Sequence, residues 1–146
     1  MKYKGPKERV DAARSRETTP EDLVSLSRAP EVFVRAAVAS NPNTPIDILD
    51  SIAMQILDSD STWEIAASLA GNIALQNQTA AMLINRILPH AQEITPRNYY
   101  QNGTIKAISS SKSLGKEEYI LLTNPENFPK HLRFKMIDKN SQQGLI

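Results

Sequence analysis

The chain has 146 residues, enough for one compact domain with a core of its own, and its apolar positions are mostly Ala, Ile, Leu and Val with aromatics at only 5%. It contains no cysteine, which excludes disulfides, thiolate zinc sites, cysteine nucleophiles and cysteine-ligated iron–sulfur clusters. The net charge of +1 hides an uneven distribution: +3 over residues 1–18, −6 over 19–95 and +4 over 96–146.

The N-terminal Met1-Lys2-Tyr3-Lys4-Gly5-Pro6-Lys7 is basic but lacks the apolar stretch of a secretory signal. No apolar run approaches the roughly 20 residues that span a bilayer, so a soluble, cytoplasmic protein is expected. Lys7 to Arg16 sets Val10 and Ala13 on one helical face among charges, which reads as a polar capping helix. After Thr19-Pro20, Leu23, Val24 and Leu26 form a short helix that ends near Ala29, and Pro30 starts a longer one with Val34, Ala37 and Val38 as its stripe.

Asn41-Pro42-Asn43-Thr44-Pro45 then stops one helix and starts the next. Asn41 suits the left-handed conformation that closes a helix, Thr44 is a good N-cap for the amide of Asp47, and Pro45 fits the first helical position. Ile48, Leu49, Ile52, Ala53 and Ile56 follow at helical spacing. Asp58-Ser59-Asp60-Ser61 breaks that helix, and Ser61 with Glu64 has the spacing of a capping box for a helix through Ala70, closed by Gly71-Asn72. A helix over Ala80 to Leu88 buries Leu83, Ile84 and Ile87. Thr95-Pro96 repeats the start signal, whereas Tyr99-Tyr100-Gln101-Asn102-Gly103 reads as turn-rich. Lys116 to Leu122 and a segment from Pro129 that buries Leu132, Met136 and Ile137 are the last expected helices.

Val34 to Pro42 matches Ile65 to Ile73 residue by residue, and Thr44-Pro45 with Ile48, Leu49 and Ile52 aligns with Thr79-Ala80 and Leu83, Ile84 and Ile87. Weaker copies at Ile105 to Ile108 and at Leu132-Arg133 bring the count to about four helix-pair units, enough for a stack whose stability needs about three or more. The fold expected is therefore all-α: a short α-solenoid in one domain, with residues 1–18 as basic cap, 19–95 as acidic repeats and 96–146 as basic, less regular ones.

Leu26 and the stretch from Pro30 to Pro45 resemble the variant leucine-rich repeat family, whose units carry Val-Arg, Ala-Val-Ala and Asn-Pro-x-Thr-Pro in that order. The specific match covers Thr19 to Ala53. Beyond it the likeness becomes that of a HEAT-like helical repeat, because Ala66 replaces the arginine and Ile73 the proline. The resemblance implies a right-handed superhelix of paired helices and macromolecular binding. Relatives that carry an iron–sulfur cluster do so on a cysteine-rich segment, so that function does not carry over to this chain. Arg35 in such a unit is expected to reach helix-end carbonyls or a carboxylate such as Asp47 or Asp50.

No catalytic constellation emerges. His90 and His131 stand 41 residues apart without a nucleophile or paired carboxylate at working distance in sequence. There is no Gly-x-Ser-x-Gly, no Gly-rich phosphate loop and no His-Glu-x-x-His. Asp58-Ser59-Asp60 resembles the start of a calcium loop, but Trp63 stands where Gly is required and Leu69 where Glu is required. Helical-repeat DNA glycosylases share the expected architecture, yet no residue qualifies as their catalytic acid. No cofactor or metal is expected.

Two binding functions remain. The first is a protein-binding scaffold, in its narrowest form an immunity- or antitoxin-like inhibitor that masks a basic partner with Asp47, Asp50, Asp58, Asp60 and Glu64, with Trp63 either as an anchor or as ordinary core. The second is nucleic-acid binding through the basic third, with Tyr99 and Tyr100 stacking bases and Arg97, Lys106, Lys112, Lys116, Lys130, Arg133, Lys135 and Lys139 neutralising phosphates.

Overall fold

The computed structural model describes residues 2–56, 63–109, 116–117, 120 and 124–129. Every regular element among them is helical: α1 (Pro6–Arg14), α2 (Pro20–Leu26), α3 (Val32–Ser40), α4 (Ile46–Gln55), α5 (Trp63–Ala70), α6 (Asn77–Ile87) and α7 (Tyr99–Ser109), with 3-10 turns at Leu88–Glu93 and Pro125–Asn127. The expected helices beyond Pro129, and most of Lys116 to Leu122, lie outside the described residues.

The helices pack with an alternation. α1 lies on α3, α3 on α5 and α5 on α7, while α4 lies on α6. The small residues of α3 explain how it can be enclosed on two sides. Val34, Ala37 and Val38 join Ala13, Leu23, Leu26 and Ala29 in one apolar cluster, and Ala36 and Ala39 join a second with Leu49, Ala53, Ile65, Leu69, Leu83 and Ile84. Alanine methyls let neighbouring backbones approach, and the larger Leu and Ile fill what remains.

The C-terminal ends of the alternate helices α1, α3 and α5 are tied together by one recurring hydrogen-bonded turn. After α1, Ser15 Oγ accepts from the amide of Glu17 (3.2 Å), and the Thr18 hydroxyl donates to Ala12 O (2.5 Å). After α3, Asn41 Oδ1 accepts from the amide of Asn43 (2.9 Å), and the Thr44 hydroxyl donates to Val38 O (2.6 Å). After α5, Asn72 Oδ1 accepts from the amide of Ala74 (2.8 Å). The carboxamide nitrogens then bridge to the previous turn. Asn41 Nδ2 donates to Ala13 O and Ser15 O, both at 2.9 Å, and Asn72 Nδ2 donates to Ala39 O (2.8 Å) and Asn41 O (3.1 Å). Ala13 O and Ala39 O belong to the last helical turn and have no partner within their own helix, while Ser15 O and Asn41 O, just beyond it, also accept from the amides of Thr18 (3.4 Å) and Thr44 (3.1 Å).

Several expectations need correction at this level. Asn41 is not left-handed: its φ of −76° and ψ of 122° are extended, and it ends α3 through its side chain. Thr44 does not cap α4, since it is buried and its hydroxyl serves the helix before it, leaving Pro45 as the N-cap residue. Thr19 does act as N-cap, accepting from the amide of Asp22 at 3.2 Å. The hydrogen bonds also set Pro45 opposite Gln76, because the amides of Leu49 and Ala80 close on their carbonyls, so Thr79-Ala80 is not the counterpart of Thr44-Pro45. α6 accordingly starts at Asn77, three residues before Ala80. The stretch from Tyr99 to Gly103 is helical. Asn98 Oδ1 caps α7 by accepting from the amide of Gln101 (2.9 Å), and burial of Ile105 and Ile108 outweighs the poor helix propensity of Gly103.

Replacing Asn41 or Asn72 by alanine leaves one helix-end carbonyl, Ala13 O or Ala39 O, without its donor, at an expected loss of about 1 to 3 kcal/mol per variant in urea unfolding followed by circular dichroism. A loss below about 0.5 kcal/mol in both would show that water replaces the carboxamide without cost.

Candidate interaction surface

The residues expected to form an acidic surface are only partly brought together. Asp47 is exposed in the first turn of α4 and Glu64 is half-buried in the first turn of α5. Asp50 is half-buried and accepts a hydrogen bond from the hydroxyl of Thr79, so it joins α4 to α6. Asp58 and Asp60 lie outside the described residues. Trp63 is 6% exposed and packs in the main core. Of its two readings, anchor or ordinary core, this burial fits the second.

On the basic side, Arg97, Tyr99, Lys106 and Lys116 are exposed. Tyr99 is 82% exposed and meets Tyr100 edge to face, with ring centroids 5.4 Å apart. Lys112, Lys130, Arg133, Lys135 and Lys139 lie outside the described residues. His90 Nδ1 is 3.9 Å from a Glu93 carboxylate oxygen in an exposed pair, and His131 is not described. No group of three or more His, Asp or Glu side chains that could hold a metal occurs among the described residues. No helix among them is long and apolar enough to cross a membrane.

Apolar side chains supply a second kind of surface. Val32 and Phe33 at the start of α3, Ile46 at the start of α4, Met54 near its end and Ile73 after α5 are all exposed.

The most organised electrostatics belong to the first three helices. Arg9 in α1 donates from Nε to Glu31 Oε1 (2.9 Å) and from Nη2 to Glu31 Oε2, and its Nη1 reaches Tyr3 O at 3.3 Å. Both side chains are largely shielded from solvent, and Glu31 is the residue just before α3. The bond from Arg9 lowers the Glu31 carboxyl below its ordinary range. Asp22 is likewise lowered, chiefly by the Tyr3 hydroxyl donating at 3.1 Å and then by Lys2. Tyr3 is raised by burial and by that same bond. Arg35 in α3 differs from Arg9: its Nε is buried and has no hydrogen-bond partner among the described residues. The expected reach of Arg35 to Asp47 or Asp50 is not made, since no ion pair among the described residues includes it. The Arg9 to Glu31 bond was not foreseen from sequence, although the presence of an arginine at the same place in α1 and α3 was a usable signal.

No protein-family model, curated protein or solved structure matches this chain.

Glu31 and Asp22 are both lowered on folding, so the stability they contribute is fully present above their unfolded values near pH 4 and is lost as pH falls through the lower folded values. Glu31→Gln combined with Asp22→Asn should flatten the fall in thermal midpoint between about pH 5 and pH 3. An unchanged slope would remove these two carboxylates from the acid sensitivity of the fold.

Proposed function

We propose that the chain is a non-catalytic protein-binding scaffold: a short α-solenoid of about four helix pairs in a right-handed superhelix, with α1 as its cap. One observation carries this reading. The turn built on Ser15, Asn41 and Asn72 recurs at spacings of 26 and 31 residues, and each later carboxamide closes on the turn before it. A stack held in this way extends by adding units and offers its length as contact area. The exposed Val32, Phe33, Ile46 and Met54 are of the apolar kind that fills the centre of protein interfaces.

The narrower form of the proposal is an inhibitor of the immunity or antitoxin kind that covers a basic partner. Among the described residues it rests on Asp47 and Glu64, because Asp50 is engaged with Thr79. Exposed charge of this sort speeds encounter more than it deepens affinity. The test is capture of a partner from native lysate by the immobilised chain. Asp47→Lys with Glu64→Lys should reduce the captured amount about tenfold or more, and Phe33→Ser should shorten its residence. Undiminished capture by the charge-reversed chain would remove the acidic surface.

A second reading is favoured by the exposure of Tyr99 beside Tyr100, with Arg97 two residues before and Lys106 further along α7. It makes the protein a single-strand nucleic-acid binder through stacking and phosphate contact. Titration with a short single strand at two salt concentrations distinguishes it. Affinity should fall steeply with salt and with Tyr99→Ala, whereas no binding at low salt eliminates it.

A further inference from the structure

Asn102-Gly103 is the one asparagine-glycine pair in the chain. Such a pair carries its own chemistry, because a glycine after the asparagine leaves the backbone free to bring the glycine nitrogen onto the carboxamide carbon. In α7 that approach is blocked. The helical ladder starts where the Asn102 amide donates to Asn98 O (3.1 Å), and the Gly103 N–H is its next rung. Asn102 Nδ2 also donates to Thr95 O and to Asn98 O, both at 2.7 Å, and Asn98 Oδ1 caps the turn. The block is shallow, however. Tyr99 and Tyr100 are exposed and Gln101 to Gly103 only half-buried, whereas Thr104, Ile105 and Ile108 further along are buried. A first turn with no buried side chain and a glycine within it opens more easily than the buried part of the same helix.

We propose that Asn102 is a self-modification site gated by the first turn of α7. When that turn opens, the Gly103 nitrogen loses its proton to base and attacks Cγ of Asn102, ammonia leaves, and a cyclic imide forms. Water then opens the ring at either carbonyl and gives aspartate or isoaspartate, with nothing oxidised or reduced. The product does not fit the native turn. It has lost both N–H donors and sets a carboxylate against Thr95 O and Asn98 O, and isoaspartate also adds a methylene to the main chain. Conversion therefore holds open the start of α7, where Tyr99 and Tyr100 stand, and lowers the formal net charge from +1 to zero. The inference concerns α7 alone and needs neither binding reading.

The experiment incubates the full chain at mildly alkaline pH and follows Asn102 by peptide mass mapping, with the same chain unfolded in urea as the ungated reference. Conversion of the folded chain is expected to be measurable and slower than in urea by about tenfold or more. Asn98→Ala removes the cap and keeps the asparagine-glycine chemistry. It should speed conversion of the folded chain about fivefold, the typical effect of losing an N-cap, and leave the rate in urea unchanged. Gly103→Ala, whose added methyl meets nothing within 4 Å, should slow conversion in urea about tenfold by restricting the backbone. In the converted chain, isolated by its charge, the Gly103 and Thr104 amides should exchange with solvent about tenfold faster than in the unmodified one. Equal rates in the folded chain and in urea, no conversion of the folded chain, no gain in Asn98→Ala, no loss in Gly103→Ala, or unchanged amide exchange after conversion would each overturn the proposal.

Discussion

An α-helix ends in carbonyls that its own backbone does not satisfy, and stacking short helices multiplies such ends. The carboxamides of Asn41 and Asn72 meet this demand across the stack, each donating to two carbonyls around the end of the helix before. Asparagine suits the task because one short side chain offers an acceptor for its own turn and two donors for a neighbour. A serine can do only the local half, and Ser15 does that half by accepting from the amide of Glu17. Both asparagines are buried, so the bonds are shielded from competition by water.

With these helix ends clamped together, the apolar contacts between α1, α3 and α5 are held in register. The same register sets arginines side by side on α1 and α3, one paired and one not. Val32, Phe33, Ile46 and Asp47 are exposed at helix starts, and Met54 and Ile73 are exposed at or just after helix ends.

The all-helical character was legible because the breaks are strongly marked. Thr19-Pro20 reads as a helix start and is one. Asn41 reads as a stop and is one, but by side-chain bonds to residues 26 and 28 positions away, which local backbone preference cannot reveal. Thr44 has the sequence look of an N-cap and instead turns back to Val38, since burying its hydroxyl demanded a nearby carbonyl. Tyr99 to Gly103 has the composition of a turn and is helical because Ile105 and Ile108 beyond it are buried. Phe128 fills the core from a position distant in sequence, which periodicity does not register. Of the candidate site, Asp47 is exposed and Trp63 lies in the core, one of its two readings from sequence, whereas Asp50 carries a structural role that only its tertiary neighbour Thr79 discloses.

The direct measurement of the central bond is NMR of the asparagine side chains. The Nδ2 protons of Asn41 and Asn72 should show through-hydrogen-bond coupling to the carbonyl carbons of Ala13, Ser15, Ala39 and Asn41, and should exchange with solvent at least about a hundredfold more slowly than a free carboxamide. Absent couplings with exchange at the free rate would contradict the claim that these carboxamides join one helix end to the next.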